Sequence, residues 1–213
     1  MNKLNLVELL FGEDNFDYTK SDVKDFVVKL TDLKRTRLFI ENWHYSGSVN
    51  GLRISQIFGL FYQGNLIGAM IYGPLGMPNI WKKYAKAESK VIELKRLCCI
   101  DNTPKNTESY FIGKTLRWLK QNTDYDLIVS YADTFYGHSG VIYKASNFKH
   151  VGMTTKGKVI DYKGKFYHDK CIRTYYINKS GGKMLKPFAQ RVKDALECGE
   201  ARYIEMPEKN IYT

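Results

Sequence analysis

The sequence is narrowed first by what it lacks. Its 213 residues hold no apolar run near the roughly 20 that span a bilayer, so no membrane partner is expected. The start, MNKLNLVELLFGEDNFDY, lacks a signal-peptide pattern, because acids follow its short apolar stretch at once. The expected location is therefore the cytoplasm. There is no CxxC pair, which argues against a zinc ribbon, and no local two-histidine metal signature among the four histidines. Repeats and low-complexity segments are absent too. Cys98 and Cys99 are adjacent in a strand-like run and must point to opposite faces. Cys171 and Cys198 stand alone, and all four read as reduced packing residues.

Acidic residues are the minority. Asp and Glu number 22 against 33 Lys and Arg, for a net charge of +11. Such a surface attracts phosphate backbones at long range. From Lys149 to Lys170 there are six lysines and two acids, interleaved with Tyr162, Phe166 and Tyr167. Basic plus aromatic composition suits DNA or RNA contact, and it equally describes a solvated face.

Hydrophobic content of 44% and charged content of 26% fit an ordinary globular chain, with one sizeable core or one domain plus a small extension. KSDVKDFVVKL reads as a helix, with Val23, Phe26, Val27 and Leu30 at 3–4 spacing. DLKRTRLFIENW reads as a second helix. SQIFGLFY and LIGAMIYG flank the turn Gln63-Gly64-Asn65 as a hairpin. KVIELKRLCCI alternates, placing Ile92, Leu94, Arg96, Cys98 and Ile100 on one face. SYFIGKTLRWLKQ is a helix that Asn106 or Thr107 is placed to cap. YDLIVSYAD is a central, buried strand, followed by a short helix around residues 140–146. FKHVGMTT, KVIDYKG and KFYHDKCIRTYYI read as strands that complete the sheet. After Gly181-Gly182 comes an extension with the amphipathic helix KPFAQRVKDALECG and a tail. The order predicts an α+β (α/β mixed sheet) fold, with a domain over residues 1–180 and an extension over 181–213.

This order resembles the acyl-coenzyme A–dependent N-acetyltransferase (GNAT) superfamily. The resemblance implies that IELKRLCCI is the fourth strand and LIVSYAD a fifth strand splayed from it to admit the pantetheine arm. It puts Tyr143, in VIYKASNFKHVG, where a tyrosine protonates the departing thiolate. The glycine-rich pyrophosphate loop of that superfamily is missing. NTPKNTES stands there with polar side chains and one lysine, and helix N-terminal amides remain to hold an anion.

A narrower resemblance covers residues 41–176. ENWHYSG, ELKRL, KNTES, SYAD, GHSGVIYKASNF and YHDKCIRTYY, in that order, resemble the Mom family of bacteriophage DNA-modification proteins. The resemblance implies an enzyme that converts adenine in double-stranded DNA to N6-carbamoylmethyladenine and so protects it from host restriction. It implies His44, Tyr45, Asp133 and Tyr143 as catalytic residues, with His44, Asp133 and Tyr143 as an iron-binding set. It also implies Arg96 and Ser109 at the acyl donor, with Lys105 and Asn106 in the same loop.

Each assignment has a plainer counterpart. His44 also reads as a helix-end hydrogen-bonding group, and Arg96 as half of an internal ion pair with Glu88, Glu93 or Glu108. Asp133 reads as a turn aspartate. Trp43 and Tyr45 flank His44 and suit stacking on a flipped base, whereas Trp118 reads as core. His138 and His168 read as solvated loop residues. The donor is open between acetyl-coenzyme A and a glycyl donor such as charged tRNA, which the basic surface also suits. Two other functions remain: a general N-acetyltransferase acting on a protein lysine or small amine, and an inactive fold kept as a DNA-binding antirestriction module.

Overall fold

A computed structural model describes residues 17–77 and 79–213; residues 1–16, where the leader reading fell, and Pro78 lie outside it. The described chain forms two compact units. One runs to Ala132 and takes in His138–Gly152 and Asn210–Thr213; the other is Asp133–Gly137 with Met153–Lys209. The boundary expected near residue 180 falls inside the second unit, and Asn210–Thr213 returns to the first.

The first unit is built on a seven-stranded mixed sheet ordered β1-β2-β3-β4-β5-β12-β6. The strands are β1 (Val27–Leu30), β2 (Gln56–Tyr62), β3 (Asn65–Gly73), β4 (Val91–Cys99), β5 (Leu127–Ala132), β6 (His150–Met153) and β12 (Asn210–Tyr212). Gln63 and Gly64 both adopt positive φ, the two-residue turn that matches strand twist in a hairpin. The helix expected over residues 20–30 is instead a short 3-10 turn followed by β1, paired antiparallel with β2. Its 3–4 spacing also permits period two. Phe26 and Val28 pack inward, while Val27 and Leu30 stay exposed.

Helix α1 (Leu33–Trp43) starts where the Asp32 carboxylate accepts from Arg35 N–H at 2.8 Å. It covers one face of the sheet through Phe39 and Ile40. Helix α2 (Thr107–Asn122) belongs to the other face, where Phe111, Ile112 and Leu119 are buried. Each contributes on the order of 1.5–3 kcal/mol of burial.

The register of β3 with β4 shifts between Ile71 and Tyr72. Ile71 pairs with Arg96 and Tyr72 with Leu94, so Lys95 is an extra, bulged residue. This bulge breaks the alternation expected for β4. Ile92 and Leu94 face the α2 side, and beyond the bulge Leu97 and Cys99 join them. Cys98 turns to the α1 side, so the two neighbouring cysteines do face opposite ways. Arg96 is therefore not on the face of Ile92 and Leu94.

Three features hold α3 (Val141–Ala145). Gly140, at φ 78°, precedes it, and a Cβ there would come within 2.4 Å of the Tyr212 ring. Asn147 takes φ 63° after it. The N–H of Phe148 bonds the Tyr143 carbonyl at 3.0 Å. Tyr212 of β12 is itself buried and donates to the Ser139 carbonyl at 2.9 Å. The last strand is thus core to the first unit rather than an extension of it.

The second unit has its own core. β7 (Gly157–Tyr162), β8 (Lys165–His168) and β11 (Ala201–Met206) form a three-stranded sheet. Helix α4 (Pro187–Glu197) packs Val192 and Ala195 against Ile160 and Ala201. β9 (Tyr175–Ile177) and β10 (Lys183–Leu185) make a separate two-stranded ribbon. Of the strands expected to complete one sheet after residue 148, only β6 does so. The run KFYHDKCIRTYYI is interrupted by a 3-10 turn at Asp169–Ile172. Cys171 is half-buried and Cys198 exposed, so packing describes only Cys98 and Cys99 well.

Candidate active site

β4 and β5 run parallel and pair only from Val91↔Leu127 to Leu94↔Ser130. Beyond that point β4 continues through Lys95–Cys99 without β5 beside it, while β5 pairs with β12. This is the opening that the acetyltransferase resemblance implies. It lies at the bulge, so a sequence-local irregularity and a topological gap coincide. Backbone groups of β4 facing the gap are free of a strand partner there. That is the edge an extended, amide-bearing arm would use.

Two hydroxyls mark the parting point. Ser130 donates to the Leu94 carbonyl at 3.2 Å. The Tyr143 hydroxyl lies near Ser130, and its ring lies between Phe148 and Tyr212 at 5.7 and 5.2 Å. Burial, the largest cause, raises its pKa, so the phenol stays protonated at neutral pH.

The second cluster comes from the loop after α1. His44 is the C-cap of α1, and its Nδ1 accepts from Ser46 N–H at 3.1 Å, with the Ser46 hydroxyl at 2.9 Å. A ring nitrogen that accepts from an amide carries no proton. Neutral His44 is therefore the Nε2–H tautomer and presents a donor. Burial, then the charges of Arg96 and His138, push its pKa down to about 3. Tyr45 stacks between His44 at 4.2 Å and His138 at 4.8 Å. Arg96 donates to the Lys95 carbonyl at 2.7 Å and the Ser48 carbonyl at 3.4 Å. Desolvation lowers its pKa, yet guanidinium remains charged at neutral pH.

The ion-pair reading of Arg96 is not what forms. Among the described residues no carboxylate pairs with it. Glu93 pairs instead with Lys95 at 3.4 Å and accepts from Gly76 N–H at 2.5 Å. A partly buried guanidinium satisfied only by carbonyls is costly, and an anion there would offset that cost.

Asp133 belongs to the second unit. It is buried, accepts from Phe135 N–H at 3.2 Å and pairs with Lys209 at 2.5 Å. This is the turn-capping role. His44 and Tyr143, both in the first unit, are not hydrogen-bonded to each other.

Taken one by one, these residues give iron no support: the only ring lone pair of His44 accepts from Ser46, and the Asp133 carboxylate pairs with Lys209. Among the described residues there is also no group of three or more His, Cys, Asp or Glu side chains placed for a metal.

The loop expected at the donor shows mixed features. Lys105 is exposed. Asn106 adopts φ 73° and makes no side-chain cap, and Ser109 Oγ donates to its carbonyl at 3.0 Å. Thr107 N–H bonds back to Pro104 and Tyr110 N–H to Asn106. The amides of Glu108 and Ser109 make no hydrogen bond among the described residues and remain for an anion.

Of the aromatics named for stacking, Trp43 packs inward on Phe39 at 6.3 Å. Only Tyr45 is exposed at the site. Trp118 packs on Phe58, as read. His168 is exposed, and its Nδ1 accepts from Lys170 N–H at 3.1 Å. Sequence reasoning passed over Ser46, Ser48, Ser130 and the Glu93–Lys95 pair, and it read His138 as solvated. Nothing in their spacing marks them, because the bulge and the parted strands bring them in.

The state of His44 gives a stability expectation. Its folded pKa lies below its unfolded value of about 6.5. Between those values the unfolded chain binds a proton that the folded chain does not. Stability contributed by neutral His44 is complete above pH 6.5 and lost as pH falls toward about 3. Thermal melts from pH 7 to pH 4 should show a fall in Tm that is shallower in His44→Asn. Equal slopes would show that His44 is not held neutral.

Fold and site define an α+β chain whose mixed sheet parts between two parallel strands, with a tyrosine, a histidine and an arginine around the gap. The chain belongs to the Mom protein family, whose model matches residues 25–212. It is 28% identical over 152 residues to "Methylcarbamoylase mom" of Escherichia phage Mu, covering 68% of this chain and 61% of that protein. It thus spans less than two thirds of the length of that curated relative. Among solved structures, Arabidopsis thaliana NAA60 in complex with acetyl-CoA aligns at TM-score 0.47 and 13% identity, over 66% of this chain and 93% of the other. A GNAT family acetyltransferase from Elizabethkingia anophelis with acetyl-CoA bound aligns at 0.42 and 9%, over 88% and 96%. Scores and identities this low carry no functional argument.

Proposed function

We propose that this chain is a DNA-modifying transferase of the Mom kind, which attaches a carbamoylmethyl group to N6 of adenine in duplex DNA and so shields it from restriction. The observation that carries the reading is the family match across residues 25–212, together with similarity to a phage protein named a methylcarbamoylase. The parted strands support an extended donor such as an acyl-coenzyme A. Acyl transfer breaks the thioester, forms an N6–C(=O) bond and releases the thiol, so the methylene link and amide nitrogen of a carbamoylmethyl group come from a further step with a separate amine donor. No observation favours charged tRNA beyond the basic charge.

The residues divide the work by state. Neutral His44 offers Nε2–H to a developing negative charge, and Arg96 offers a fixed cation beside it. The Tyr143 phenol, neutral and next to the gap, is placed to protonate a leaving group. The proton shed by the attacking amine can restore it, so no net acid is consumed. Tyr45, exposed beside His44 and His138, presents an aromatic edge for contact with a base. Asp133 is proposed as the residue that holds its own turn, with Lys209 as partner.

Nucleoside mass spectrometry of DNA from cells expressing the chain tests the reading. The expected result is a carbamoylmethyl adduct on adenine that is absent from vector controls. Unmodified adenine with a soluble acetylated amine or protein lysine would replace it with the general acetyltransferase. Duplex affinity should also fall steeply with salt, with a log–log slope of about −3 or steeper as counterions are released. A flat dependence in filter binding from low to moderate salt would count against a DNA substrate.

A further inference from the structure

The ribbon β9–β10 in the second unit is unexplained by its own core. Tyr176 pairs with Met184, Ile177 with Lys183, and Tyr175 with Leu185. Leu185 is buried and anchors one end. The rest of the ribbon is exposed and, apart from Lys183, apolar: Ile177 is 72% exposed, Tyr175 51%, Met184 45% and Tyr176 42%. An isolated two-stranded ribbon is marginal in water, so leaving this much apolar surface exposed on one calls for a partner.

The tip is nonetheless preformed. Asn178 N–H bonds the Gly182 carbonyl at 2.9 Å, and Gly181 N–H bonds the Asn178 carbonyl at 3.0 Å. The Asn178 side chain accepts from Gly182 N–H at 2.7 Å and from Ser180 N–H at 3.1 Å. Gly181 takes φ 81°, which glycine adopts freely. A turn bonded this way presents its neighbours in fixed positions.

The charge around it has one sign. No Asp or Glu occurs between Asp169 and Asp194, whereas Lys170, Arg173, Lys179, Lys183, Lys186, Arg191 and Lys193 all do. Arg173 pairs with Asp169 and Lys193 with Glu197. Among the described residues no carboxylate pairs with Lys179 at the turn, Lys183 in β10 or Lys186 at the start of α4. A second copy of the chain would bring like charges together. A polyanion with an apolar interior suits both features.

We propose that the β9–β10 ribbon enters a groove of duplex DNA, where Lys179, Lys183 and Lys186 engage phosphates and Tyr176 and Met184, cross-strand partners on one face of the ribbon, wedge between base pairs. This rests on the DNA reading above and deepens it. An amine inside the base stack is reached only once its nucleotide leaves the duplex, and apolar wedges lower the cost of unstacking. The ribbon supplies that step physically, apart from the chemistry.

The test uses the full chain and a duplex carrying 2-aminopurine, whose fluorescence rises on unstacking. Tyr176→Ser with Met184→Ser removes the wedge at exposed positions, so an unchanged Tm and circular dichroism spectrum is required of the variant. Wild type should raise the fluorescence of the bound duplex, and the variant should lose most of that rise while its affinity falls by no more than about threefold. Modification of duplex DNA should fall at least about tenfold, a modest share of an unstacking cost, and should recover on a substrate whose target adenine lies opposite an abasic site. Lys179→Ala with Lys183→Ala should instead weaken binding and make the salt slope shallower by about two.

Equal unstacking and modification by the wedge variant, with wild type active on DNA, would overturn the ribbon's role and leave the DNA reading intact. Failure of wild type itself to bind or modify duplex would remove both. Wild type that is dimeric in sedimentation, with a monomeric wedge variant, would assign the ribbon to self-association and overturn the groove.

Discussion

Arg96→Ala is expected to lower DNA modification at least about 100-fold, the scale of losing one preorganised charge-stabilising donor, while the folded protein becomes no less stable. Both halves follow from the same geometry. Arg96 is partly buried, bonded only to the Lys95 and Ser48 carbonyls, and unmatched by a carboxylate among the described residues. Removing an uncompensated cation costs the fold little and relieves its desolvation. Removing the Arg96 cation from the parted strands leaves an anionic donor without that partner. Coenzyme A should therefore raise the Tm of wild type by mass action and shift the variant far less. His44 reports independently. The Arg96 charge helps hold its pKa down, so that pKa should rise in the variant when followed by NMR. Duplex affinity should stay within about threefold, because a residue acting on the donor makes no phosphate contact with DNA. A loss of DNA affinity matching that of a lysine variant would move Arg96 to the DNA side of the site. Full activity would return it to the structural role of tying the bulge to the loop after α1.

Much of the fold was legible where a local rule decided it. Gln63-Gly64 gave the hairpin because both residues take the left-handed turn that the strand twist demands. The run DLKRTRLFIENW reads as a helix, and the structure starts it where the Asp32 carboxylate accepts from Arg35 N–H. What was lost was decided at a distance. Residues 20–30 carry apolar positions that satisfy a helix or a strand, and only pairing with β2 selects β1. Asn210–Tyr212 is too short to show any period, yet it fills the sheet between β5 and β6. The bulge at Lys95 exists because Ile71 and Tyr72 pair with Arg96 and Leu94. No reading of KVIELKRLCCI alone turns Arg96 toward the loop of His44 and Ser48.

The same distinction runs through the site. The family resemblance brought His44, Tyr45, Arg96 and Tyr143 into view, and all four belong to the unit with the parted strands. It said nothing of their states. The tautomer of His44 depends on the backbone N–H of Ser46, and the neutrality of Tyr143 depends on its burial beside Ser130. In those two states His44 and Tyr143 each carry a hydrogen-bond donor. Asp133 has its own partner in the second unit, and its place at the end of β5 gave no hint of Lys209.

Tyr143→Phe should separate chemistry from packing at the end of that strand. The substitution keeps the ring between Phe148 and Tyr212 and deletes only the hydroxyl. Stability should change by no more than about 1.5 kcal/mol, the scale of one ordinary hydrogen bond. Modification should drop at least about tenfold, because a proton donor needs its oxygen. Ser130→Ala is the matched control. It removes the hydroxyl near the phenol and its bond to the Leu94 carbonyl, but leaves the phenol in place, so it should cost stability on the same scale and much less activity. The pH profile gives a third reading. Burial raises the pKa of Tyr143, so the alkaline loss of wild-type activity should lie above the ordinary phenol range of about 10. In Tyr143→Phe that limb should disappear from the residual activity. If Tyr143→Phe and Ser130→Ala lose the same stability and both retain full activity, the hydroxyl pins β5 to α3. The proton for the leaving group would then come from elsewhere.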